Sequence, residues 1–400
     1  MTLAPDLIPV DLGDEYLPWT DPQFCLDPYP WYARLREENR VHLMADGTYV
    51  LSHYEDVLGV ATSHDMSVVP GWDEAGPWKV NRDTIIGQDV PEHTRLKRQT
   101  NKWFTPKLVR QWVETTREQI GLALDRIGDD GLVDGWIDIA VRPTHVTMAR
   151  VLGLPEDAAE DVAKAMAETM PMLAAGHTPR DVDRAAAGFA WLGEHIDEML
   201  EARSAQPQRH LADALLAAVD TGDMTPTQAR ATIMLFYGLG HLDVGYLIVS
   251  GLQQFTRIPG LFQAYKNDPS VRKAIINEMV RMDPPELSIF RTPTVDVEVG
   301  GVTIPAGSTI RCLLGSANRD ASVFEHPDEF DYTRPPQASM NLSFGAGVHH
   351  CAGQVISRAE VEVIFDAIAD RFDSIEATGE PVLDHNDFAR AFHTLPLRLS

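Results

Sequence analysis

The sequence predicts a mainly α protein with small β-sheets. Three observations carry that reading: a long, capped apolar segment beginning at Thr225, an Ala/Glu/Met-rich stretch over residues 158–216, and strand signals confined to short runs. In chain order, residues 29–38 read as a short helix, and Tyr49-Val50-Leu51 as a strand after the Asp46-Gly47 turn signal. The helical stretch that follows is interrupted near Pro171, Gly176 and Pro207. Next comes Thr225-Pro226-Thr227-Gln228, where Thr caps, Pro suits the first turn and Gln228 completes a capping box. The helix it opens runs to about Phe255, roughly 30 residues or ~45 Å at ~1.5 Å per residue, and is apolar on nearly all sides between Ile233 and Leu252. Such a helix is buried. A further helix spans about 270–281. The alternating run Val295-Asp296-Val297-Glu298-Val299 turns at Gly300-Gly301 and returns as Val302-Thr303-Ile304, a hairpin. A last long helix follows Cys351 to about Phe372.

Thirty-four Lys and Arg against 59 Asp and Glu leave a net charge of −25, which argues against a nucleic-acid partner. With 44% hydrophobic and 23% charged residues the chain buries a sizeable core and is not disordered. Length alone suggests two or three domains. No repeat, low-complexity tract or linker marks a boundary, however. The opening residues have neither a basic flank nor an apolar run, and no stretch approaches the ~20 apolar residues of a bilayer span, so a cytoplasmic protein without a membrane partner is expected. Cys25, Cys312 and Cys351 are far apart and odd in number, which speaks against a disulfide framework.

The most informative segment is Phe344-Gly345-Ala346-Gly347-Val348-His349-His350-Cys351-Ala352-Gly353. Its glycines permit positive φ and close approach of another group, and Cys351 opens a helix expected to begin around Ala352. A helix N-terminus favours a thiolate, and a thiolate is a good soft ligand for iron. An isolated Cys is ordinarily a small buried hydrophobe. Here the spacing of Phe, two Gly, His, Cys and Gly resembles the haem-binding loop of the cytochromes P450, and further segments agree with that family in the same order along nearly the whole chain.

The resemblance implies a cytochrome P450 fold, with the long central helix over haem b and Cys351 beneath it as the metal ligand, in a single catalytic unit of residues 1–400. It identifies Glu278 and Arg281 with the family's Glu-x-x-Arg pair and Arg334 with the arginine that joins them in a buried network. Taken alone, Glu and Arg at i, i+3 are ordinarily a solvated pair. His93 and Lys97 fall where a His and a basic residue contact a haem propionate, Lys97 lacking the bidentate fork of the usual Arg. Arg291, in Phe290-Arg291-Thr292-Pro293, and His349 match two further propionate positions. Phe344 and Gly345 complete the expected cofactor-binding set.

The central helix departs from the family. An acid and an alcohol there should deliver protons to dioxygen, yet the chain reads Gly238-Leu239-Gly240-His241-Leu242-Asp243-Val244-Gly245-Tyr246, and neither alignment provides the hydroxyl. Cleaving the O–O bond needs two protons, so losing the relay threatens diversion of reducing power into peroxide. Asp243, alone or with His241, is the candidate catalytic replacement, since Gly240, Asp243 and Leu247 share a helical face; a hydrogen-bonded core histidine is the competing reading of His241, and a helix-kink or substrate-binding acid that of Asp243. Substrate-pocket candidates are Trp72, Trp78, Met170, Met172, Gly240, Val244, Leu287, Ile289 and Phe388, an aromatic-walled pocket for a small organic molecule.

Between residues 91 and 113 the bases Arg95, Lys97, Arg98, Lys102, Lys107 and Arg110 face one acid, Glu92, against the sign of the whole molecule. The resemblance places this helix where an acidic ferredoxin docks, with Arg95, Arg98 and Lys102 as contacts. The remaining sequence offers no flavin or nicotinamide domain, so ferredoxin and ferredoxin reductase are expected as separate partners. The implied activity is a monooxygenase using O2 and two electrons to hydroxylate or oxidatively dealkylate a small aromatic or natural-product molecule. The alternatives are a haem protein that binds a ligand without turnover and a peroxide-driven or nitrating enzyme.

Overall fold

In the computed structural model, residues 2–3, 13–71, 77–202, 210–335, 340–384 and 386–400 are described. The organising element is the helix Pro226–Arg257, 32 residues long, whose capping box forms as the sequence indicates. The Thr225 hydroxyl accepts from the Gln228 N–H at 3.1 Å, and the Gln228 side chain accepts from the Thr225 N–H at 3.0 Å. The helix is α-helical without interruption past Gly240 and Asp243. Around it pack the helices Arg142–Leu152, Leu211–Asp220, Arg272–Met282 and Gln354–Arg371 and the wide helical turn Gly135–Val141. One contact shows how close the packing is: Trp136 stacks on Tyr246 at 4.9 Å and lies over Gly245, where a Cβ would sit 2.7 Å from the indole.

Among the described residues this helix alone passes for a membrane span by length and hydropathy, contrary to the expectation that no stretch would. Its apolar window is 78% buried within the molecule, so it is a core helix.

The strands are short. The largest sheet has the order Val41–Leu43, Tyr49–Leu51, Ile310–Leu313, Ser288–Pro293, Met66–Ser67. Tyr49 pairs in parallel with Ile310, and Arg291 lies opposite Ile310 in the antiparallel neighbour. The hairpin forms over Val297–Val299 and Val302–Ile304, with Gly300 and Gly301 at φ 57° and 83°. Its first strand starts two residues later than the alternation suggests, because the Asp296 side chain instead accepts the Ala306 N–H at 2.9 Å. Helix 270–281 appears as Arg272–Met282. All three cysteines are free.

Candidate active site

Gly345 and Gly347 both take positive φ, 67° and 70°, which turns the chain between Phe344 and Cys351. A Cβ on Gly347 would stand 2.7 Å from the Ala61 carbonyl, so the loop lies directly on the helix Tyr54–Thr62. The Cys351 N–H closes the loop onto the Phe344 carbonyl at 2.9 Å. The following helix starts at Gln354, not at Ala352. Ala352 and Gly353 form an intervening turn, and the N–H that favours the sulfur's anionic form is that of Gly353. Burial, opposed by that N–H, pushes the Cys351 thiol up to about 11. A bound metal cation reverses such a balance and takes the sulfur as thiolate.

Cys351 opens on a cavity of about 680 Å³ that also takes in His93, Lys97, Arg291, His349, Phe344 and Gly345. The His93 and His349 rings lie 4.2 Å apart, and the His93 Nδ1 is buried without a hydrogen-bond partner. Burial lowers the His93 pKa to about 4 and that of His349 to about 3, with Lys97 adding repulsion to both and Arg291 to His349. The Arg291 guanidinium is buried and donates to the Phe290 carbonyl at 2.7 Å. Among the described residues no carboxylate ion-pairs with any of these four bases. With both imidazoles neutral, the charge of the cluster is that of Lys97 and Arg291, and an anionic guest offsets their repulsion and favours protonation of the imidazoles. Lys97 differs from its expected role: its Nζ donates to the Val348 and His350 carbonyls at 2.6 and 2.7 Å, tying the helix Glu92–Asn101 to the Cys351 loop.

Glu278, Arg281 and Arg334 come together in the interior. Arg281 grips both Glu278 oxygens, Nε at 2.9 Å and Nη2 at 2.7 Å, and Arg334 Nε reaches Glu278 Oε1 at 3.0 Å. The Asp331 N–H adds a bond of 3.0 Å to the same oxygen, and Arg281 Nη1 meets the Asn318 and Pro327 carbonyls at 2.8 Å each. A carboxylate buried with this many donors is an anchor for the chain on either side of it.

On the central helix Leu239, Gly240, Asp243, Val244 and Leu247 line the cavity. His241 does not. It is buried on the other face, its Nδ1 against the Tyr237 carbonyl at 3.0 Å and its ring edge-on to His145, with burial lowering its pKa to about 4. The 200° between positions 241 and 243 of an ideal helix (~100° per residue) explains the separation. Met170, Met172, Ile289 and Phe388 are cavity-lining, and Phe388 stacks on Phe290 at 6.2 Å. Leu287 is a correction: it is core, beside Gly315, and its N–H holds the Phe388 carbonyl at 2.7 Å. Trp72 lies outside the described residues, and of Trp78 only the backbone, opening the helix Trp78–Arg82, is described. Arg95 is another correction, since it is engaged with Glu92 and with Gln228 at 3.1 Å, while Arg98 and Lys102 are exposed.

Sequence reasoning missed Glu286, a second acid in the cavity, placed there by a bridge between Glu286 and Ala389. Asp-Pro-Pro-Glu reads as a turn, and nothing local shows that the turn faces inward. Burial pushes the Asp243 carboxyl up to about 7, and burial together with the Asp243 charge pushes Glu286 up to about 8.

A soft sulfur and a cluster of bases that open on one largely apolar cavity fit haem b, whose iron takes a thiolate and whose two carboxylates take basic partners. The comparisons with known proteins agree. The Cytochrome P450 family model matches residues 270–399. A Steroid C26-monooxygenase of Rhodococcus jostii is 28% identical over 91% of this chain and 80% of its own length. Cytochrome p450 CYP199A2 of Rhodopseudomonas palustris is 27% identical with both chains covered in full. Among solved structures, ligand-free CYP164A2 of Mycobacterium smegmatis superposes with a TM-score of 0.86 at 27% identity, over 94% of this chain and 97% of that one. Over nearly its whole length the chain is thus similar to cytochrome P450 monooxygenases, whose cofactor is haem b, and its residues 270–399 match the family model.

Proposed function

We propose that this monooxygenase hydroxylates or oxidatively dealkylates a small organic substrate in the cytoplasm, receiving electrons from a separate ferredoxin and its reductase, and that residues 1–400 act as one catalytic unit. The observation that carries the reading is one cavity shared by Cys351, four bases and the face of the central helix that bears Asp243. Haem b bound there supplies the activation of dioxygen. Cys351 gives its sulfur to the iron, with the Gly353 N–H stabilising the negative charge. His93, Arg291 and His349 hold the propionates; Lys97 holds the loop carbonyls and lends its charge to the same region. Met170, Met172, Ile289 and Phe388 bind the body of the substrate and exclude water.

Asp243 holds the proton. Its Oδ1 is buried without a partner, and a carboxyl with a pKa near neutrality both gives and takes a proton at working pH. With Val244 beside it there is no helix hydroxyl to share the task. His241, turned into the core, has no part in it. Product formed with NADH, reductase, ferredoxin and isotopically labelled dioxygen, carrying one labelled oxygen atom, is the expected result. Asp243→Asn is expected to lower product per NADH by about tenfold or more, with the balance appearing as peroxide. An unchanged yield sinks the proton role, and turnover on peroxide alone with none on dioxygen replaces the oxygen-dependent reading by the peroxide-driven one.

Arg98 and Lys102, exposed on and just after the helix Glu92–Asn101, are the residues for the ferredoxin encounter. Charge complementarity of this kind accelerates association and weakens with salt.

A further inference from the structure

The cavity is electrically divided. His93, Lys97, Arg291 and His349 gather at one place, where the haem carboxylates balance them. The remaining guanidinium, Arg311, is neutralised by Asp387 and bonded to Ser288 at 3.0 Å. His350 and the exposed Asp46 also border the cavity, as does His177, whose Nδ1 lies 3.1 Å from the Ala174 carbonyl of its own loop. This leaves Asp243 and Glu286. Neither has a cationic partner among the described residues, and the Asp243 Oδ1 is shielded and unpartnered. The same cavity is lined by Met170, Met172, Leu239, Val244 and Leu247.

Two carboxyls in such surroundings do not both ionise without help. Burial without compensation costs each of them, and each charge penalises the other. One proton on the two carboxyls leaves one negative charge. A guest bearing one positive charge removes the remainder, and its apolar body meets the methionine and aliphatic walls.

We propose that the substrate carries a basic nitrogen on a lipophilic frame, and that Glu286, beside Asp243, is the counter-ion that fixes its ammonium group. This rests on the monooxygenase reading above and narrows its substrate class. Glu286 is the anchoring member because Asp243 is the one assigned to proton transfer. Without the ammonium, the Asp243 charge leaves the proton on Glu286; an ammonium seated against Glu286 draws the negative charge onto that carboxyl, Asp243 takes up the proton, and the pocket is neutral. A neutral molecule of the same shape leaves the charge of the pair uncompensated.

The test uses the haem-loaded protein and two probes of one shape: phenylbutyl trimethylammonium, which has no nitrogen lone pair to offer the iron, and its carbon isostere with tert-butyl in place of trimethylammonium. Calorimetric titration is expected to show the cation bound about tenfold or more tighter, ~1.4 kcal/mol. That preference should shrink to about twofold in Glu286→Gln and vanish in the double variant with Asp243→Asn, while the isostere binds the variants at least as tightly as the wild type. Equal affinities in the wild type, or a preference that survives the double variant, overturns the proposal. The reduced carbon-monoxide difference spectrum is read on every sample. Its loss in the wild type overturns the haem-thiolate reading, whereas a normal spectrum with equal affinities overturns only the amine.

Discussion

The two charged regions of the cavity are built on different principles. The basic region is rigid and already tied down: Lys97 is bonded to two loop carbonyls, Arg291 sits in a sheet strand opposite Ile310, and the two imidazoles are in contact. The acidic region is one side chain on a helix and one in an isolated β-bridge, with an oxygen that no group among the described residues satisfies. Bases that repel one another in a fixed cage wait for a permanent anion. Acids with near-neutral pKa and an unpartnered oxygen suit a guest that comes and goes, and a proton that moves.

Breaking the frame under the basic region gives the largest expected effect. Arg281→Ala removes both bonds to Glu278 and leaves a buried carboxylate held only at Oε1, by Arg334 and the Asp331 N–H. Losing one member of a buried pair typically costs about 3–5 kcal/mol. The expected outcome is protein that expresses with little bound haem and a clearly lower melting temperature; a melting curve and haem content equal to wild type contradict the anchoring role.

Glu360 sharpens the comparison from the side of the acids. It is buried in the helix Gln354–Arg371, but unlike Asp243 it has partners, with Thr116 at 3.2 Å and Thr147 bonded to the same threonine at 2.8 Å. Burial still pushes its pKa up to about 8 from an ordinary 4.5. Its neutral form is the one the fold accepts, so its contribution is complete below about pH 4.5 and is lost as pH rises through about 8. Glu360→Gln is expected to unfold on the order of a few kcal/mol harder than wild type at about pH 9 and almost equally at about pH 5. Chemical denaturation at the two pH values checks it, and parallel curves refute it.

Arg291→Ala touches the basic region itself. Deleting one charge-assisted contact typically removes about 1.5–3 kcal/mol, which is on the order of a 10- to 100-fold faster haem loss to an acceptor protein. Stability of the chain should barely change. A haem-transfer rate equal to wild type would remove Arg291 from the propionate set.

Much of this arrangement is written locally. The capping box at Thr225 and Gln228, the hairpin turn at Gly300-Gly301 and the positive φ of Gly345 and Gly347 follow from short-range chemistry, and short-range patterns report them. Helical arithmetic also puts Gly240, Asp243 and Leu247 on one face and His241 on another. What stays hidden depends on distant partners. The main sheet joins strands from residues 41–67 to strands from 288–313, a register no local run specifies. Lys97 and Arg95 are chosen by acceptors more than 100 residues away, so their charges read as free in the sequence and are committed in the fold. Leu287 and Glu286 are neighbours that face opposite ways, and the bridge to Ala389 decides which one lines the cavity.

The most direct measurement is the reduced carbon-monoxide difference spectrum of the purified protein beside that of Cys351→Ser. The account predicts the thiolate-ligated haem band in the wild type and its complete loss in the variant. A wild type without that band, or a variant that keeps it, contradicts the assignment of Cys351 on which everything else in the cavity depends.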